Sequence, residues 1–264
     1  MSSTEALDAV AIGPGGVAVS LVLVVVAVIV SWRRELGLER SLVEATGRAL
    51  VQLVAVGYGL RLLLADGTPL AWSVGWVAFM VGFAAWTITK RADQVDGLLG
   101  LAMVAMAVTA TATLGVVFGL GIFPFEPRYL VPTAGMMVGN AMKAAVLAAR
   151  RTVDDVTDNR AQIEARVALG QPWQQASRRV LRRSLRDALT PQVETTRAVG
   201  LVFLPGAMTG LILAGADPLD AVLVQAAVMF LILGGVAIST LVVQAGLARR
   251  LFTNDDRLAP LVRS

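Results

Sequence analysis

Residues 164–191 read EARVALGQPWQQASRRVLRRSLRDALTP. This passage is polar and arginine-rich, and apolar runs of membrane length flank it on both sides. The whole chain has 264 residues, of which 56% are hydrophobic and only 16% charged. A soluble globular domain carries about 25% charged residues. The charges here are clustered: 9–32, 67–89, 97–125, 198–216 and 221–248 contain no Asp, Glu, Lys or Arg. Runs of about 18 or more apolar residues read as transmembrane helices. Two further segments, 42–64 and 129–149, are apolar but interrupted by charge. The sequence therefore predicts an all-α polytopic membrane protein with about seven transmembrane helices. Almost no room is left for a folded soluble domain. Residues 1–264 read as one transmembrane domain, with a cytoplasmic loop, 150–191, between spans five and six.

Lys and Arg gather on cytoplasmic loops. With the N-terminus outside, 19 of the 23 fall inside: four near 33–48, two at 90–91, nine at 150–186 and four at 249–263. Only Arg128 falls in an outside loop, and Arg61, Lys143 and Arg197 lie within spans. The expectation is N-terminus outside and C-terminus cytoplasmic, in the cell membrane. Trp32, Trp72, Trp76, Trp86 and Tyr129 fall near span ends, as interfacial aromatics do. The opening residues hold Glu5 and Asp8 and lack the basic start of a secretory signal, so the run to Trp32 reads as a retained helix.

Several chemistries are excluded. Without Cys there are no disulfides and no thiolate metal sites. Without His the commonest metal ligand and near-neutral base are gone. A P-loop needs a Lys after Gly to reach phosphates, and neither Lys90 nor Lys143 follows a Gly. The chain is not expected to bind ATP in that way. The pI of about 10.3 reflects cytoplasmic loops rather than a nucleic-acid partner.

Within the polar passage, Ala161–Leu169 reads as a short helix with Ile163 and Val167 on one side. Gly170 ends it and Pro172 prevents its continuation. A second helix, Trp173–Leu189, places Arg178, Arg179, Arg182, Arg183 and Arg186 on one face and Val180, Leu181, Leu185 and Leu189 on another. Anionic lipid headgroups suit the arginine face. The short helix and turn suit docking to something soluble.

The pattern Glu164-Ala165, Leu169-Gly170, Pro172-Trp173-Gln174 and Leu189-x-Pro191 looks like the cytoplasmic loop of ABC-transporter permeases, although Arg166 stands where that pattern has Ala. Further motifs narrow the resemblance: Arg48-x-x-x-Gln52-Leu53-x-x-x-Gly57-Tyr58, Gly135-Met136-x-x-Gly139-Asn140-Ala141-Met142, Gly200-Leu201-Val202-x-Leu204-Pro205-Gly206-x-Met208-x-Gly210, and Ala214-Gly215-x-Asp217-Pro218 with Gln225. Together these resemble the FetB-type (YbbM-like) permeases, associated with bacterial iron export and with plant aluminium tolerance. The resemblance spans roughly residues 15–252. It implies a permease subunit rather than an enzyme: a homodimer working with two ATPase subunits that carry ATP and Mg, exporting iron or another metal. It also implies that Glu164, Ala165, Leu169, Gly170, Pro172 and Trp173 form the coupling loop.

The same residues have physical readings. Pro205 and Gly206 are expected to kink span six, Val193–Ala214. Gly206/Gly210, Gly135/Gly139 and Gly115/Gly119 allow close helix approach. Asp217, Pro218 and Asp220 read as a helix start, and Glu194 can pair with Arg197 at i+3. Lys143 either serves function or snorkels, and the resemblance supplies no Lys there. A metal path without Cys or His must use Met sulfur, amide carbonyls and carboxylates. The cluster of that kind is Met136, Met137, Asn140, Met142, Glu194, Met208 and Gln225; a chelated cargo fits it equally well. The rivals are an ion-coupled carrier acting alone and a non-transporting scaffold. The first wants mid-span acids, which the spans lack.

Overall fold

The computed structural model describes residues 14–65, 67–92, 97–253, 255, 257 and 258. Glu5, Asp8, Asp66 and Arg263 lie outside the described residues. Among those described, the chain is helical and forms no strands: α1 (Pro14–Arg33), α2 (Glu39–Leu63), α3 (Leu70–Arg91), α4 (Leu98–Gly119), α5 (Pro127–Asp158), α6 (Arg160–Ala168), α7 (Trp173–Ala176), α8 (Arg178–Ala198), α9 (Gly206–Leu213) and α10 (Pro218–Leu251). The all-α expectation holds. Five helices, α1, α3, α4, α5 and α10, are long and apolar enough to cross a membrane. The 25-residue α2 is long enough but carries five charges.

Two compact units make up the chain. The first contains the chain up to Thr68 and Gly210–Asp217. In it α1 packs on α2. Ser31 ties their connection: its hydroxyl donates to Glu39 Oε1 at 2.6 Å and accepts from the Leu38 N–H at 3.2 Å. That bond holds the Glu39 carboxyl below its ordinary value.

The second unit contains Pro69–Thr209 and the chain from Pro218 on. Here α3, α4, α5 and α10 form a bundle. Its core is rich in alanine, including Ala84, Ala85, Ala102, Ala105, Ala141 and Ala145. Small residues let helices approach closely where the bilayer supplies no hydrophobic drive between them. The closest approaches are at Gly235, 3.1 Å from Thr113 Cγ2 for an added Cβ, and at Gly246, where an added Cβ would meet Leu101. Ser239, one turn beyond Gly235, donates its hydroxyl to the Ala141 carbonyl at 3.2 Å. Of the glycine pairs read from sequence, Gly206/Gly210 and Gly115/Gly119 face open space, as does Gly139, and Gly135 meets only Met80.

The sixth span, expected as one helix from Val193 to Ala214, is broken. The basic helix α8 does not stop near Pro191 but runs through it to Ala198. Residues 199–205 are not helical, and α9 then begins at Gly206. Gly200 has φ +90 and donates its N–H to Phe203 O at 3.0 Å, closing a turn. Pro205 therefore precedes α9 instead of kinking a continuous helix, and its carbonyl accepts the Thr209 N–H at 3.1 Å. As expected, α10 starts at Pro218 with Asp220 in its first turn.

At about 1.5 Å per residue, α5 and α10 are about 48 and 51 Å long, well beyond a hydrocarbon core of about 30 Å. Arginines of both meet the ends of α3 and α4. Arg150 Nε donates to Arg91 O, and Arg250 Nη1 to Gly97 O, each at 2.6 Å. One end of the bundle thus gathers the basic residues of three helices.

Candidate functional site

At this basic end the chain builds a second, small core. Val156 of α5, Ile163 of α6, Ala176 of α7 and Val180 of α8 bury against Leu251, Phe252 and Leu258, with Val167, Trp173 and Leu181 partly buried around them. The Trp173 and Phe252 rings stack with centroids 4.8 Å apart. We call this assembly the cap.

The cap fixes one surface. Ile163 of α6 is fully buried while Glu164 and Ala165 stay exposed. Helix α6 ends in a Schellman motif: Gly170, at φ +86, donates to Val167 O at 2.9 Å, and Gln171 donates to Arg166 O at 3.2 Å. Pro172 then opens α7. This turn thrusts Leu169 outward, 84% exposed. Arg160 Nε donates to Glu164 Oε1 at 2.8 Å, a surface pair. On α8, Arg178, Arg179, Arg182, Arg183 and Arg186 are all exposed and Val180 is buried, the split that the offsets predict. Of the expected loop residues, Glu164, Ala165, Leu169, Gly170 and Pro172 share the exposed surface, while Trp173 anchors the cap.

Helix α8 leads from the cap to a cavity. Val180 and Leu181 belong to the cap, and Gln244 Nε2 of α10 donates to Leu181 O at 2.7 Å. Farther along, Ala188, Pro191, Gln192 and Thr195 line a cavity of about 450 Å³. Its other walls come from α5 (Met136, Asn140, Lys143), α10 (Gln225, Met229) and the start of α9 (Gly206). Gln225 is 4% exposed, and its Oε1 has no hydrogen-bond partner. Asn140 turns its Nδ2 onto Met136 O at 2.8 Å, which leaves Oδ1 as an acceptor. Among the described residues, Lys143 is the one charged residue on the cavity wall.

The structure brings Met136, Asn140 and Gln225 of the expected path together. It does not add Met137, which is fully buried behind the cavity wall in the core that Val228 and Ile232 share with the lining, or Met142, which packs against the bundle core that holds the α3 and α4 alanines. Glu194 lies outside the cavity and accepts from Arg197 Nη1 at 2.7 Å. Met208 is half-buried on α9 and lines no part of the cavity. Among the described residues no group of three or more His, Cys, Asp or Glu is placed to hold a metal ion. Sequence reasoning missed Gln192, Thr195 and Met229. The first two stand four and seven residues after Ala188, so they share its helix face.

Residues 15–252 match the family described as Uncharacterised protein family (UPF0014). The chain is 38% identical over 219 residues to "UPF0014 membrane protein STAR2" of Oryza sativa subsp. japonica, covering 83% of this chain and 76% of that one. It is 38% identical over 226 residues to "Probable iron export permease protein FetB" of Escherichia coli (strain K12), covering 85% and 86%. To "Protein ALUMINUM SENSITIVE 3" of Arabidopsis thaliana it is 34% identical over 224 residues, covering 85% and 82%. No solved structure matches the chain. Its apolar helices and its match across nearly the whole length place this multi-pass membrane protein in the UPF0014 family.

Proposed function

We propose that this chain is the membrane-spanning permease subunit of an ABC transporter in the cell membrane. A separate ATPase subunit, holding ATP and Mg, docks on the exposed turn that follows α6. Two copies of the chain form the pathway, and the cargo, iron or another metal, leaves the cell through it. The names of the relatives support this reading: one is a probable iron export permease and another is an aluminium-sensitivity protein.

The observation that carries it is the course of α8. One helix of 21 residues, about 31 Å long, begins beside the docking turn and ends as a cavity wall. The cap core joins α6, α7 and the start of α8 to one another and to the ends of α5 and α10, so a push on the turn enters α8 at its cap end. A push on Leu169 is therefore delivered to Gln192 and Thr195. The non-helical residues 199–205 at the far end of α8, with Gly200 at positive φ, supply the hinge that such a movement needs. Alternate opening of the cavity follows from the displacement of that one wall.

Leu169→Asp tests the docking role, because Leu169 is exposed and takes no part in the cap core. The expected result is loss of ATPase binding with unchanged thermal unfolding. ATPase binding equal to that of the unmodified chain would contradict it.

A further inference from the structure

We infer that the cavity takes its cargo as a hydroxyl-bearing anion, metal-chelating or not, and not as a bare metal cation. This rests on the permease reading above and names its cargo class.

Three observations carry it. First, among the described residues Lys143 is the one charged group lining the cavity, and no carboxylate faces it there. A bare divalent or trivalent cation entering this space meets a like charge with no counter-charge, whereas an anion meets its partner. Second, the neutral polar groups are not a cation cage. The carboxylates and carbonyls that hold hard cations come in sixes or more, or as near-ideal octahedra. Here the neutral polar side chains on the lining are four, Asn140, Gln192, Thr195 and Gln225, which falls short of such a set, and the Thr195 hydroxyl already donates to Pro191 O. Gln225 Oε1 is buried and unpartnered, so it calls for a donor from whatever enters. A cargo hydroxyl is such a donor. Third, the cavity of about 450 Å³ has the size of small-molecule sites rather than of a single ion. Cation, acceptor and size select together an anion that also carries hydroxyl groups, the chemistry of hydroxycarboxylates and of their metal chelates.

Lys143 sits on α5 one turn from Asn140, so the anion-binding ammonium and the amide acceptor project from one helix face. Gln225 approaches from α10. Helix α8, which carries Thr195, is the wall proposed to move. The fixed helices thus hold charge and acceptor while α8 covers or uncovers them.

The test is binding of three probes, ferric citrate, citrate alone and ferrous ion, to the full chain in nanodiscs. Ferric citrate should bind and ferrous ion should not. Lys143→Gln should weaken ferric citrate about tenfold or more, the loss expected for a hydrogen bond to a charged group, while Lys143→Arg should retain most of the affinity. Gln225→Leu should weaken it less. Lys143 is exposed, so its variants should purify as well as the unmodified chain. Ferrous ion binding that Lys143→Gln leaves unchanged would overturn the inference and leave metal export standing. Citrate binding as tightly without iron would uphold the anion site and overturn metal as the cargo. Binding of none of the three would overturn the inference.

Discussion

The cap and the cavity sit along the same helix and treat their polar groups in opposite ways. In the cap the polar groups on α7 and α8 are closed. Ser177 Oγ donates to Trp173 O at 2.7 Å, Ser184 Oγ to Val180 O at 3.0 Å, and the α6 carbonyls are capped by Gly170 and Gln171. Its exceptions, Thr152 Oγ1 and Asp155 Oδ2, lie on α5 at the base of the cap. In the cavity, Gln225 Oε1 is buried without a partner, and Lys143 has no counter-charge on the lining. Leaving a buried acceptor unsatisfied costs about 1–3 kcal/mol. On the proposed reading, α7 and α8 transmit a push and settle their own hydrogen bonds, while the cavity receives a cargo and keeps an acceptor open, with the stability lost there offset elsewhere.

The comparison breaks most sharply at Ile163. Truncation to Ala leaves a void in the smaller core, expected to cost about 2–4 kcal/mol, read as a lower midpoint of thermal unfolding together with lost ATPase binding. If Ile163→Ala unfolds normally, the cap is not an independent body. Gly246→Ala probes the bundle that supports both regions. Its new methyl must displace Leu101, at an expected cost of about 1–3 kcal/mol; the same change at Gly119, a helical site that faces open space, should leave stability unchanged or raise it by up to about 1 kcal/mol. Gln225→Leu sharpens the contrast from the cavity side. Stability should rise by about 1 kcal/mol as the orphaned acceptor goes, while binding of ferric citrate falls. A drop in both would mean that Gln225 is structural.

The smallest expected effect lies in neither region. Glu39 is held below its ordinary value by the Ser31 hydroxyl, so its contribution is complete above that value and is lost as pH falls through the lowered one. Acid below about pH 4.5 should loosen the connection between α1 and α2. Ser31→Ala should weaken that acid dependence, leaving the smaller part due to the Glu39 backbone N–H, as followed by hydrogen exchange at Leu42.

The fold was legible where composition alone decides it. Long uncharged stretches became α1, α3, α4 and α10, because an apolar run of that length satisfies its own backbone within a bilayer as a helix. Span six misled because counting charges does not see backbone geometry. Val199–Pro205 is as apolar as a span, yet Gly200 and Pro205 take it out of the helix. The turn after α6 was legible because Gly170 and Pro172 are local signals with one structural meaning, whereas the packing of Phe252 and Leu258 on Ile163 and Trp173 joins residues far apart in the chain and left no local signal. The cavity was legible only in part. Methionines 136, 137 and 142 look alike in sequence but lie on different faces of α5, and only Met136 shares its face with Asn140 and Lys143. The glycine pairs misled similarly, since spacing shows where helices can approach and not which neighbour comes.

The proposed function requires a soluble ATPase that grips this chain. The direct measurement is purification of the tagged chain in mild detergent from its native host, with the masses of everything held in stoichiometric amount. The account predicts a P-loop ATPase, released by Leu169→Asp and retained by Gln225→Leu. A folded chain that purifies alone, repeatedly, would contradict it.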